Sequence, residues 1–268
     1  IQTRVITSRE IEKTDATNIQ DLLQQELPGV EFSYAMNQQT HLNFSGFGGQ
    51  GVLFLIDGER LAGETMDDVD FTRLNMDNVE RIEIVKGAAS ALYGSNATGG
   101  VINIITKKTD KPWTLNVNGR LARHNEQRYG ASFGLNGKRL CNMFTANYTD
   151  VDNFDVHSAA DPVTRIISTV YGDRTLNLKD QLVWSPSRNV EIGGRVGYFF
   201  RQTTRTAEQP ERYRDFSGGL RIDWTLSDHD MLQANYAFDQ YDKSDYQKLR
   251  KLDIRDYSNV RNTFRLLY

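Results

Sequence analysis

The chain has 268 residues, a formal net charge of −3 and one cysteine, which gives no support for nucleic-acid binding and excludes an intrachain disulfide. Its hydrophobic share of 38% and mean hydropathy of −0.57 are low for a globular chain of this size, and no apolar run approaches the roughly 18 residues of a membrane helix. That exclusion does not touch a strand-built membrane protein, whose strands alternate apolar and polar residues and average to mild hydropathy.

Composition breaks near Pro112. Residues 1–110 hold 9 Lys+Arg against 16 Asp+Glu, whereas residues 111–268 hold 23 against 19. Only 7 of the 28 aromatic residues fall in the first segment. An acidic, aromatic-poor domain (1–110) therefore precedes a basic, aromatic-rich one (111–268). The first reads as mixed α/β. It opens on IQTRVITSRE, already strand-like, so any export signal is expected to have been removed or omitted. TRVIT is a strand and SREIEKT a helical turn. Thr17 to Gln20 form a capping box that opens the helix NIQDLLQQEL, stopped by Pro28-Gly29. VEFSY is a strand, followed by the polar AMNQQT and by HLNFSGFGGQG. VLFLIDGERL is a hairpin turning at Asp57-Gly58. GETMDDVDFTRLNMDNV is loop and short helix. RIEIV, a helical turn AASALYG and the strand GGVINIIT close the domain.

From Trp113 the period becomes two, the signature of strands. Leu176, Leu178, Leu182 and Trp184 share one face, with Asn177, Lys179 and Gln181 on the other. Phe216, Leu220, Ile222 and Trp224 likewise oppose Ser217, Arg221 and Asp223. Eight such strands are expected, at about 113–124, 127–138, 140–152, 174–186, 190–202, 213–226, 230–242 and 257–268. One end carries tight turns (137–138, 185–189, 227–230). The other carries long connections (153–173, 203–212, 243–256), apart from a short one near 124–127. Short turns on one side and long loops on the other suit an outer-membrane barrel. Trp113, Trp184 and Trp224 all fall on the apolar face at the short-turn end, where an interfacial girdle places them. The alternative, a water-soluble β-sandwich, has strands of about 5–6 residues, and these run about twice that, as membrane-crossing strands do. The face carrying Lys179, Arg195, Arg201 and Arg221 is then the lumen.

Three motifs carry a family resemblance: VITSREIEKTDATNIQDLLQQELPGV, then VLFLIDGERL, then NVERIEIVKGAASALYGSNATGGVINIITKK. In this order they resemble the plug of TonB-dependent outer-membrane transporters, and a barrel-type tail after the plug matches that family's domain order. The implied fold is an α+β plug domain followed by antiparallel transmembrane β-barrel strands. Barrels of this family have about 22 strands, whereas an eight-stranded barrel is filled by its own side chains. The chain is therefore expected to be the first part of a longer protein or one piece of a split barrel. The resemblance implies active uptake of a scarce nutrient across the outer membrane of a Gram-negative bacterium, the plug gating the barrel. The ligand would be an iron chelate or siderophore, haem or cobalamin. Partners would be TonB, through an N-terminal peptide upstream of Ile1, the outer-membrane lipid and a surface lipoprotein. The alternative is a ligand-sensing or surface-binding receptor without transport.

The glycine-rich stretch at 87–100 could also cradle a phosphate. A phosphate loop places Lys after the second glycine, but here Lys86 precedes Gly87 and none follows Gly94. These glycines read as turn and packing positions. By family position, ligand contact falls on the plug apices at about 34–50 and 61–67. Tyr34, Met36, Asn37, Gln38, His41, Phe44 and Phe47 supply aromatic and amide groups suited to a large ligand. Arg81 and Glu83 resemble plug residues that pair with charges on the barrel wall. His41 and His157 are candidate haem-iron ligands. Asp150, Asp152 and Asp155, in a loop with Asn153 and Asp161, are candidate Ca²⁺ ligands, without the glycine and bidentate glutamate of an EF-hand; no covalent cofactor is expected. Cys141 reads as a small residue on the lumen face near a turn. The sequence has no CxxC, no HExxH and no Ser-His-Asp order, so an enzyme is not expected.

Overall fold

The structure is a computed structural model. It describes residues 2–14, 16, 18–34, 40–44, 46–48, 52–60, 71–74, 76, 79–86, 99–159, 161–203, 209–227 and 229–268. The chain divides into two compact units, Ile1–Lys108 and Thr109–Tyr268.

In the first unit, strand β1 (Gln2–Thr7) leads into helix α1 (Ser8–Lys13). The capping box lies here. Thr7 accepts from the Glu10 amide, and the Glu10 carboxylate accepts from the Thr7 amide at 2.7 Å, closing two of the free donors at the helix start. Helix α2 (Ile19–Glu26) is capped differently from the expected Thr17–Gln20 box. Asn18 is its N-cap, accepting from the Asp21 amide at 2.8 Å, and Thr17 lies outside the described residues. Then follow β2 (Val30–Tyr34), β3 (Thr40–Phe44), β4 (Phe47–Gly48), β5 (Val52–Ile56), β6 (Glu59–Arg60), a 3₁₀ turn at Phe71–Arg73, β7 (Val79–Lys86) and β8 (Gly100–Thr106). Among the described residues, β2, β3 and β4 form a small antiparallel sheet, and a larger sheet has the order β1-β7-β8-β5-β6.

Burial explains the order of that sheet. β5 reads VLFLI and is buried on both faces, which suits an interior strand, and it runs parallel to β8. One face packs on α2 through Ile19, Leu22, Leu23, Ile82, Ile84, Ile102 and Phe54. The other holds Leu53, Leu55 and Val101. Phe71 meets Phe32 and Phe54 edge-on at centroid distances of 5.2 and 5.1 Å. The turn between β5 and β6 is the expected one. Asp57 (φ 51°) and Gly58 (φ 82°) both take left-handed backbone, as a two-residue hairpin turn requires. The Asp57 carboxylate accepts from the Thr106 amide at 2.9 Å and from its hydroxyl at 2.7 Å. The Gly58 amide donates to Asn103 Oδ1 at 3.0 Å. This clamp ties the turn to β8. Asp57→Ala is expected to cost about 1–3 kcal/mol by leaving Thr106 without these acceptors, read as faster hydrogen exchange at the Thr106 amide in the full-length protein. The turn expected at AASALYG, with Gly87 and Gly94, lies outside the described residues.

The second unit contains all eight expected strands and one hairpin that sequence reading leaves as loop. The strands are β9 (Trp113–Ala122), β10 (Glu126–Asn136), β11 (Leu140–Asp150), the extra pair β12 (Phe154–Ser158) and β13 (Asp161–Val170), then β14 (Asp173–Ser187), β15 (Val190–Thr203), β16 (Glu211–Thr225), β17 (Met231–Gln247) and β18 (Leu252–Leu267). Among the described residues, eight form one antiparallel sheet in the order β18-β17-β16-β15-β14-β11-β10-β9, and β12 pairs only with β13. The connection expected at 243–256 is largely strand, with a tight turn around 248–251. The cause of both differences is the same. β12 is only five residues long, β13 carries apolar residues on both faces, and the end of β17 (Lys243–Gln247) carries mainly polar ones on both, so the period-two hydropathy signal is short or mixed although the backbone stays paired. The short connection near 124–127 turns on His124 and Asn125, both with positive φ. No helix among the described residues is long and apolar enough to cross a membrane, which does not bear on strands.

Candidate functional site

Register fixes what each face of the large sheet presents. Successive side chains alternate faces, so every residue of one cross-strand row points the same way. One row runs Trp113, Leu135, Asn142, Leu182, Gly194, Leu220, Tyr236, Phe264. Another runs Leu140, Trp184, Ile192, Ile222, Ala234, Leu266. Apart from scattered polar residues, this face is apolar and it is exposed. Val117, Leu121, Phe264 and Leu266 each expose more than two thirds of their surface, and Trp113 exposes 64%. The other face is polar and mostly half-buried in the middle strands, and it holds the buried Thr145, Asn177, Asp215 and Asp239 together with Phe199, Tyr213 and Tyr241, while most of its side chains on the edge strand β9 and those at the end of β18 are exposed. This is the reverse of a sheet folded in water, which hides its apolar face.

The apolar face has a definite height and slope. On β16 it runs from Trp224 to Phe216, about nine residues and about 26 Å along the strand. The three tryptophans mark its lower edge, and that edge crosses the register rows. Trp113 on β9 lies in the row of Leu220, whereas Trp224 lies four residues further along β16, five strand steps away. Four residues at ~3.3 Å against five steps at ~4.8 Å is a slope of about 30°, near the tilt of strands in outer-membrane barrels. The height across that tilt is roughly 22 Å, close to their ~25 Å apolar band. Tyr129, Tyr148, Phe200 and Phe216 lie at the upper edge. Asn142, Asp180 and Asn262 are polar exceptions on this face: Asp180 lies midway up β14, four residues from Trp184, where it accepts from the Asn142 amide at 2.8 Å, and Asn262 accepts from the Tyr236 hydroxyl at 2.8 Å.

Above this edge the same face turns charged. A single row runs Asp150, Arg174, Gln202, Arg212, Ser244, Arg255, with Arg214 two residues below Arg212. Arg174 binds Asp150 at 2.8 Å, Arg212 and Arg214 share Asp253, and Arg255 pairs with Asp242 at 3.5 Å. The Arg212 guanidinium also lies 3.4 Å from the Tyr246 ring centroid. Of this group only Asp150 is among the expected site residues. The signal was available as the point where each strand's apolar parity stops. On the opposite face at the same height, Lys243 bridges Glu211 and Asp256 at 3.3 and 3.2 Å, and Arg201 stacks 4.1 Å over the Tyr213 ring. Burial works against the Lys243 ammonium, yet Glu211 and Asp256 outweigh it and raise its pKa. Burial, then Asp256, raises that of Asp245.

The expected site residues are placed as follows. Tyr34 and His41 lie on the β2–β3 hairpin, where Tyr34 pairs with Thr40 and His41 with Ser33. Phe47 pairs with Phe44. Met36, Asn37, Gln38 and the 61–67 apex lie outside the described residues. Phe44 is a correction. It is expected at the ligand, but it is fully buried in the core, with the Lys86 ammonium 5.6 Å from its ring centroid; its apolar ring packs rather than projects. Arg81 bonds Glu80 and Glu83 on its own strand, both at 2.8 Å, and the Glu83 hydrogen bond leads in raising its pKa. His157 lies on β12 opposite Ile166. Asp150, Asp152 and Asp155 are not brought together. They accept respectively from Arg174, Asn125 (3.1 Å) and Thr169 (2.6 Å). Among the described residues no group of three His, Cys, Asp or Glu side chains could hold a metal ion. A Ca²⁺ ion on this loop would have to draw Asp150 from its arginine. Cys141 lies on the polar face, its thiol donating to Asn136 Oδ1 at 2.9 Å.

Comparison with known proteins follows the same division. Residues 1–101 match the TonB-dependent receptor plug domain family. The chain is 39% identical over 103 residues to a vitamin B12 transporter BtuB of Photobacterium profundum, a match spanning 38% of this chain and 17% of that protein. It is 37% identical over 133 residues to the BtuB of Vibrio cholerae, spanning 49% and 22%. The structure resembles the copper transporter OprC (TM-score 0.73, 17% identity, 91% of this chain and 38% of that one). It also resembles the ferric yersiniabactin uptake receptor FyuA from Yersinia pestis (TM-score 0.71, 17% identity, 92% and 42%). The chain thus spans less than half the length of these relatives, and the structural likenesses concern the fold. The relatives are transporters and receptors, not enzymes.

Proposed function

We propose, for a chain that carries the plug and a partial barrel of a TonB-dependent outer-membrane receptor, that the whole protein imports a scarce nutrient across the outer membrane of a Gram-negative bacterium. The observation that carries this reading is the pairing of a plug fold with a sheet whose apolar face is exposed and whose polar face holds the buried side chains Thr145, Asn177, Asp215 and Asp239. Lipid would cover the first face and the second would line the lumen. Ligand would bind from outside at the plug apices near Tyr34 and His41. TonB would pull from the N-terminal side of the plug. That pull would load β1 first, because among the described residues β1 pairs only with β7, from Gln2 opposite Lys86 to Thr7 opposite Arg81.

Cobalamin leads the ligand candidates, because the sequence relatives are named for vitamin B12 transport. A siderophore-bound iron or haem follows. The test is growth of a strain lacking the gene, with the full-length gene restored as control, on limiting cobalamin, siderophore iron or haem. Growth is expected to fail on cobalamin and return with the gene. Normal growth on all three would reject active uptake of these ligands. It would favour a receptor that binds without transport.

A further inference from the structure

The charged row above the apolar face has a geometry that its internal ion pairs alone do not explain. Arg174, Arg212 and Arg255 stand on alternate strands of one register row, with Arg214 just below. Neighbouring strands lie ~4.8 Å apart, so successive arginines of the row are spaced by about 10 Å. Arg174 and Arg255 are well exposed, at 53% and 64% of their side chains, while Arg214 and Arg212 are half-buried, exposing 34% and 21%. Their carboxylate partners are fewer. Four arginines meet three aspartates, because Asp253 serves both Arg212 and Arg214. The β17–β18 turn adds Lys248, Arg250 and Lys251, all exposed, around an exposed Leu249. Gln202, in the same row, adds an amide. The group is continuous with the apolar face directly beneath it, at the end of the sheet away from the tryptophans.

We propose that this rim is a lipid-headgroup site. Arg174 and Arg214, which lie level once strand tilt is allowed for, grip the phosphates of an outer-leaflet lipid whose acyl chains lie on Leu176, Phe200 and Phe216. Guanidinium groups suit this task, since they present paired donors that match a phosphate and remain charged at all working pH values. The continuity of the rim with the apolar face selects a lipid over a free anion, because one molecule would satisfy both surfaces at once. The inference rests on the reading that the apolar face meets lipid.

The test uses the full-length protein in detergent and native mass spectrometry. Three probes are added separately: bisphosphorylated lipid A, the same lipid without its phosphates, and inorganic phosphate. Wild type is expected to retain lipid A at least about tenfold better than the phosphate-free lipid, and Arg174→Gln/Arg214→Gln is expected to lose that advantage. Raising salt to ~1 M should weaken wild-type retention without any substitution, which keeps the test valid if the variant folds poorly. Equal retention of the two lipids by wild type, or undiminished retention by the variant, would overturn the headgroup site. Displacement of lipid A by inorganic phosphate would mark a free-anion site instead and overturn it too. Failure of both lipids to bind would instead count against the lipid-facing reading on which it rests.

Discussion

Leu220→Arg is expected to destabilise the membrane-inserted full-length protein by about 2–4 kcal/mol, read as a lower denaturation midpoint in bilayers. Leu220 lies midway between Trp224 and Phe216 on β16 and is 47% exposed on the apolar face. A guanidinium there would sit near the middle of the hydrocarbon, where no water can solvate it. Its sequence neighbour Arg221 is already an arginine, yet it lies on the other face beside Glu191 and Asp223, at 2.8 and 2.9 Å. Gln233→Arg, on that same polar face with its amide 2.6 Å from Asp223, is therefore expected to change stability by less than about 1 kcal/mol. Equal effects from the two substitutions would show that the faces do not differ in solvent.

Ile82→Ala is expected to loosen the plug by about 2–5 kcal/mol. Ile82 is fully buried on β7, in the interior of the order β1-β7-β8-β5-β6. It packs in the cluster that joins the sheet to α2, and the surrounding Ile6, Ile102 and Leu23 are held in elements that cannot collapse fully into the vacated space. Hydrogen exchange in the full-length protein should show faster opening of β7 and β8, with the large sheet unchanged. A comparable loss of protection across the large sheet would mean that the two units do not unfold separately.

The parts of the fold legible in sequence are those where one physical signal dominates. The period-two strands were legible because each has one apolar and one polar face, and the turn at Asp57-Gly58 because few residue pairs accept two left-handed positions. The helix cap was misplaced by one residue because Thr17 and Asn18 are both competent acceptors and only geometry chooses. The β12–β13 hairpin and the outward extension of β17 and β18 are not legible, since these segments are short or carry apolar and polar residues without a clear alternation. The candidate site was less legible than the fold. Phe44 lies between apex residues in sequence, but its place on β3 turns it into the core. Asp150, Asp152 and Asp155 form a cluster in sequence, while cross-strand pairing hands each to a different donor. The arginine rim shows in sequence only as the point where each strand's apolar parity stops, because its members lie far apart and meet through register.

The most direct test of the account is a nitroxide scan along β16 of the full-length protein in lipid bilayers, with Cys141 replaced so that each introduced cysteine reports alone. Collision rates with oxygen, which partitions into lipid, and with a water-soluble nickel chelate are measured at each position from 214 to 224. The account predicts alternation: Phe216, Gly218, Leu220 and Ile222 favour oxygen, while Ser217, Gly219 and Arg221 favour nickel, with a change to nickel on the outward face at Arg214. Nickel access at Leu220 equal to that at Ser217 would contradict it, since the exposed apolar face would then stand in water.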